Sequence, residues 1–157
     1  MRPSTRICLL CISLLCSVSQ VFADDYLLSL GGRQEYTVTI SARGAELTGI
    51  CIIRTDEGGS KGTIMNEFGV NALDFTLSAD RKKVRLQHVV AMMDKWYVKR
   101  VVRKDLQYLF SATMSPQTKG RRTVVQTADG SVTLENEKYK LKYSLKPINR
   151  QDNEIAE

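Results

Sequence analysis

The stretch DKWYVKRVVRKDLQYLF, residues 94–110, is where the period of this sequence changes. Val98, Val101, Val102, Leu106, Leu109 and Phe110 recur at spacings of three and four. Lys95, Lys99 and Arg103 recur at four, with Arg100 and Lys104 beside them. Residues three and four apart share one side of a helix, so the spacing predicts an apolar stripe beside a basic face. The helix is expected over about residues 92–111. Val98, Val102, Leu106 and Leu109 are expected to face inward, and Lys95, Lys99 and Arg103 outward.

Around this stretch the period is two. YTVTIS sets Tyr36, Val38 and Ile40 against Thr37, Thr39 and Ser41. ALDFTL sets Leu73, Phe75 and Leu77 against Asp74 and Thr76. VRLQHVV groups Val84, Leu86, His88 and Val90, and YKLKYSL groups Tyr139, Leu141, Tyr143 and Leu145. Alternation with β-branched and aromatic residues means strands with one buried face. ELTGICIIR is apolar on both faces, as a central strand would be, and Gly49 within it marks a bulge or bend. TIMNEF, TVVQT and VTLEN complete eight expected strands.

The breakers fall between these runs. They are ARGA, the glycine-rich turn DEGGSKG at residues 56–62, residues 69–71, SADRKK, and ADGS with its Asp-Gly hairpin signal. Loops this short join antiparallel neighbours. A sheet with one apolar face needs a cover, and one helix has the stripe for it. The expected class is mostly β with one main helix: a curved antiparallel sheet, or half-open β-barrel, covered by an amphipathic helix.

The first 23 residues read as a leader. Arg2 and Arg6 precede the apolar run ICLLCISLLCSV, and VFA ends it with Val21 and Ala23 at the −3 and −1 positions. Cleavage after Ala23 and export to a periplasm or cell envelope are expected. A lipid anchor at Cys16 is the lesser alternative, because Leu15 precedes it where a lipidation signal has a small residue. Removing Arg2 and Arg6 lowers the net charge from +6 to +4 and leaves Cys51 as the one remaining cysteine, so no internal disulfide is available. One domain is expected at residues 24–147, followed by a polar tail at 148–157.

Catalytic patterns are missing. His88 is the lone histidine and is expected in the core by strand parity. Cys51 has no neighbouring base, and there is no phosphate-binding glycine loop or serine elbow. Asp56-Glu57 and Asn66-Glu67 read as turn polarity. An enzyme, a cofactor and a metal site are therefore not expected. The basic helix is first a solvated outer face. Its second reading is a membrane-surface face, in which Lys95, Lys99, Arg100 and Arg103 meet anionic headgroups and Trp96 sits at the interface beside Tyr97. Nucleic acid is not expected as a partner, because no stacking platform is visible. A monomer is expected.

The leader, ELTGICIIR, GTIMNEFGVNALDFTLSADRKKVRLQHV and a helix ending RKDLQYLF, in that order, resemble the lipoprotein-localisation family of periplasmic carriers and outer-membrane receptors. The likeness is one of pattern over about residues 36–145. It implies a half-open barrel closed by helices over an apolar cavity that takes acyl chains. The chain departs from the family in being shorter, in lacking a clear lipidation signal and in having one covering helix. On this basis the expected function is a non-enzymatic exported protein that holds a lipid or acyl chain between sheet and helix. The residues expected to line the cavity are Leu73, Phe75, Leu77, Val84 and Leu86 from the sheet, and Val98, Val102, Leu106 and Leu109 from the helix. The alternative is a structural or interaction domain with a solid core, which needs the same apolar faces.

Overall fold

A computed structural model describes the protein over residues 26–148. The expected leader and most of the expected tail lie outside the described residues. Ile148 is inside them, and its amide donates to the Glu35 carbonyl at 2.9 Å.

Nine strands form one open antiparallel sheet. They are β1 (Arg33–Ala42), β2 (Ala45–Asp56), β3 (Gly59–Asn66), β4 (Asn71–Ser78), β5 (Val84–Val89), β6 (Gln117–Lys119), β7 (Arg122–Gln126), β8 (Val132–Asn136) and β9 (Leu141–Pro147). Their order in space is β5-β4-β3-β2-β1-β9-β8-β7-β6. The chain thus runs as a five-strand meander, then helix α1 (Trp96–Phe110), then a four-strand meander. The two meanders meet where β1 pairs with β9, Val38 opposite Leu145 and Ile40 opposite Tyr143. Helix α1 links the two edge strands and lies across the apolar face. It packs on β5 and β8.

Local chemistry sets the hairpins. Arg43 and Gly44, both at positive φ (48° and 89°), make the two-residue turn between β1 and β2. Thr127 and Ser131 close the Asp-Gly hairpin, the Thr127 amide donating to the Ser131 carbonyl at 2.9 Å, with Gly130 at φ 77°. The Asn66 side chain ends β3 by accepting from the amides of Phe68 and Val70 at 3.0 and 2.8 Å.

The core follows the alternation. Tyr36, Val38, Ile53, Phe75, Leu134 and Tyr143 point inward and are almost fully buried. The helix adds Val102, Leu106, Leu109 and Phe110. The Phe75 and Phe110 rings meet at 5.4 Å between centroids. Full burial of each such side chain contributes roughly 1.5–3 kcal/mol.

Several expectations need correction. Among the described residues there are nine strands, because the short polar edge strand Gln117–Lys119 carries no apolar alternation. The helix starts at Trp96, after a 3-10 turn at Ala91–Met93. Gly49 is not a bulge: it pairs in register with Val38 and Asn66, and it is glycine because the Met65 carbonyl comes too close for a Cβ. Strand β2 is interior, yet its second face is open, with Ile50 42 % exposed. The glycine-rich turn is two residues long, and Gly59 to Gly62 already belong to β3. His88 is exposed and not in the core. The pairing slips between Asp74 and Phe75, so that Leu86 opposes Phe75 while His88 opposes Asp74. The extra residue, Gln87, reverses the parity beyond it. Val89 takes the inward place opposite Leu73.

Candidate functional site

Helix α1 covers the sheet unevenly, and its sequence explains why. Its second half carries Leu106, Tyr108, Leu109 and Phe110, all buried against the sheet. Its first half offers only Val98, Val101 and Val102 on that side. Valines do not reach across the gap. An apolar cleft of about 970 Å³ remains between the first half of the helix and the end of the sheet where β1 turns into β2 and β8 into β9. Its inner surface comes from Ile40, Leu47, Met93, Val98, Val102 and Leu141. Ala42 and Ala45, flanking the β1–β2 turn, keep the sheet side shallow.

The nine residues expected to line a cavity separate into two groups. Val98 and Val102 do line the cleft. Leu73, Phe75, Leu77, Val84, Leu106 and Leu109 are buried in the packed core, and Leu86 is half-buried against it. None of these seven lines the cleft. The expectation placed the cavity under the large side chains, and those fill their own space. The discriminating signal in the sequence is the run of small residues facing each other, Ala42 and Ala45 against Val98, Val101 and Val102.

At the inner end lies a polar cluster that periodicity missed, because Asp105 occupies an inward helix position. The Arg122 Nε donates to Asp105 Oδ1 at 2.5 Å, and the Asn136 amide donates to both carboxylate oxygens at 2.9 and 3.0 Å. Tyr143 and Arg122 also line the cleft. Burial, and then the Asp105 charge, hold the Tyr143 hydroxyl well above the usual tyrosine range, so it stays protonated as a neutral hydroxyl.

The rim is basic and aromatic. Trp96 and Tyr97 stand at the mouth, 73 % and 55 % exposed, their rings edge to face at 5.9 Å. Of the expected membrane-surface face, Trp96 and Arg100 border the cleft, while Lys95 and Arg103 are exposed away from its lining. Lys99 is half-buried and paired with Asp94 at 2.6 Å. Its ammonium holds the Asp94 carboxyl below the usual range. At the same end of the sheet, the β3–β4 loop exposes Phe68 and Val70.

Comparison of the sequence with protein-family models and with curated proteins finds no match. Among the described residues no group of three or more His, Cys, Asp and Glu side chains is placed to hold a metal ion. No helix there is long and apolar enough to cross a membrane. Cys51 is buried, and burial pushes its thiol up to about 12. A neutral buried thiol is a poor nucleophile.

Proposed function

We propose that this is a non-enzymatic exported protein that holds an acyl chain in the cleft between helix α1 and the β1–β9 end of the sheet. The supporting observation is the cleft itself: about 970 Å³, with mostly apolar walls of aliphatic and aromatic side chains and a basic rim, at the upper end of the 300–1,000 Å³ range of small-molecule sites. A concave, mostly apolar cleft with a few polar groups at its edge is the usual form of a ligand site. The likeness to the lipoprotein-localisation family, with its acyl-binding half-barrels, points the same way. So does the leader pattern of the first 23 residues, which supports a place at the cell envelope.

Native mass spectrometry of the protein purified from its own host tests the reading. Bound mass that matches one lipid, and that disappears in a Val98→Trp variant filling the cleft, supports it. A clean protein mass from every preparation counts against it. That result favours the second reading, a structural or interaction domain, which the solid packing around Phe75, Leu109 and Phe110 suits equally well.

A further inference from the structure

Resting on the reading of the cleft as an acyl site, we infer that its occupant is a single-chain amphiphile with an anionic head: a long-chain fatty-acid carboxylate. Four cations border the opening. Arg100 and Lys104 lie one turn apart on helix α1, Arg43 sits in the β1–β2 turn, and Lys138 sits in the β8–β9 turn. Glu46 is the single carboxylate among the lining residues, and Ser41 Oγ donates to it at 3.3 Å. Among the described residues, Arg43, Arg100 and Lys104 form no ion pair with a carboxylate. Lys138 lies over its neighbour Tyr139, 5.2 Å from the ring centroid. The deeper Arg122 is different, because Asp105 already neutralises it.

Like charges gathered around a low-dielectric mouth repel one another and focus a positive potential there. An anion at the mouth removes that repulsion and keeps part of its hydration. The apolar walls behind the mouth suit a hydrocarbon chain and offer little to a polar ligand. The cleft, about 970 Å³, has room for such a chain: at roughly 30 Å³ per non-hydrogen atom, as in liquid water, a sixteen-carbon carboxylate needs roughly 500 Å³.

Trp96 is the one tryptophan of the chain and borders the mouth, so its fluorescence reports occupancy. Delipidated full chain is titrated with hexadecanoate and with its uncharged glycerol ester, both below their micelle concentrations. The carboxylate is expected to bind at least about 10-fold more tightly at about 0.05 M salt, with the gap closing at about 0.5 M. A triple variant, Arg100→Gln, Lys104→Gln and Lys138→Gln, should lose most of the preference for the carboxylate over the ester. Equal affinity of wild type for both ligands overturns the anionic-head inference and leaves the acyl reading standing. Binding of neither ligand, nor of an anionic lysophospholipid, overturns both. Binding of an anionic lysophospholipid with none of hexadecanoate overturns the choice of a carboxylate. The wild-type comparison decides even if the variant folds poorly.

Discussion

Asp105 and Arg122 join helix α1 to strand β7 through an ion pair whose carboxylate is fully buried and whose guanidinium is one-quarter exposed. Asn136 on β8 supplies the remaining hydrogen bonds to the same carboxylate. The pair fixes where the helix sits over the sheet, and with it the inner wall of the cleft. Removing one partner leaves the other desolvated without compensation. Asp105→Ala is therefore expected to lower stability by about 3–5 kcal/mol in urea denaturation. Replacing the whole cluster by apolar residues of similar volume, Asp105→Leu with Arg122→Met and Asn136→Leu, should cost far less. A triple variant as unstable as Asp105→Ala alone would refute this account of the cluster.

The two halves of the helix should respond differently to truncation. Leu106 is buried in packed core, so Leu106→Ala is expected to cost about 2–5 kcal/mol. Val102 is buried in the core but also borders the cleft, and Val102→Ala, which removes less volume, should cost less than this, about 1–2 kcal/mol. Arg103→Gln, at an exposed position, should stay within about 0.5 kcal/mol. Thermal denaturation of the three variants ranks them. A larger loss at Val102 than at Leu106 contradicts the placement of the cleft.

Strands and turns were legible because their signals are local. The alternation in YTVTIS and ALDFTL, the Asp-Gly hairpin and the three-four spacing of residues 94–110 each specify an element within a few residues. What was not legible depends on partners distant in sequence. Nothing in β1 announces that it pairs with β9, 100 or so residues away, yet that pairing makes one sheet from two meanders. His88 was misplaced because the parity change at Gln87 arises from the partner strand's register. The position of the cleft is hidden in the sequence for a related reason. An apolar stripe says which side of a helix faces the sheet, and side-chain volumes along it say where the contact closes. Leu106, Leu109 and Phe110 close it, and Val98 and Val102 leave it open.

Gly62 tests the packing beneath strand β3. Sequence alone made it a turn glycine, but it is a strand residue opposite Phe75. A Cβ at Gly62 would overlap the Phe75 ring, which is itself held against Phe110. Gly62→Ala is expected to destabilise by about 1–3 kcal/mol. Pairing it with Phe75→Leu should recover part of the loss. Fully additive losses in the double variant would show that the ring and the new methyl do not meet.

Alkaline pH should unfold the protein through two neighbouring buried groups. Burial pushes the Cys51 thiol up from 9.0 to about 12, and burial with the Cys51 charge pushes the Tyr36 hydroxyl from 10.0 to about 12. Both folded values are raised, so both groups favour the folded state fully below pH 9, and the advantage is lost as pH rises toward 12. The midpoint temperature should fall across this window. Cys51→Ala should make the fall shallower, whatever it does to stability at pH 7. An unchanged slope would assign the alkaline loss to other groups.

We propose in addition that the outer face of the helix meets anionic membrane surfaces. Lys95 and Arg103 are exposed, Lys99 shares its charge with Asp94, and Trp96 stands beside them with most of its ring in solvent. Basic residues near an anionic surface contribute about 1 kcal/mol each, and tryptophan favours the interface. Lys95→Gln and Arg103→Gln should each weaken binding to anionic vesicles about fivefold at low salt, and the effect should fade in about 0.5 M salt. Lys99→Gln should weaken it less, since Asp94 already offsets that charge. Vesicle co-sedimentation measures all three, and a blue shift of Trp96 emission reports burial of its ring. If the Lys95, Lys99, Arg103 triple-Gln variant binds vesicles as tightly as wild type, the basic face plays no part in membrane contact. The helix then keeps one role, as the wall of the cleft.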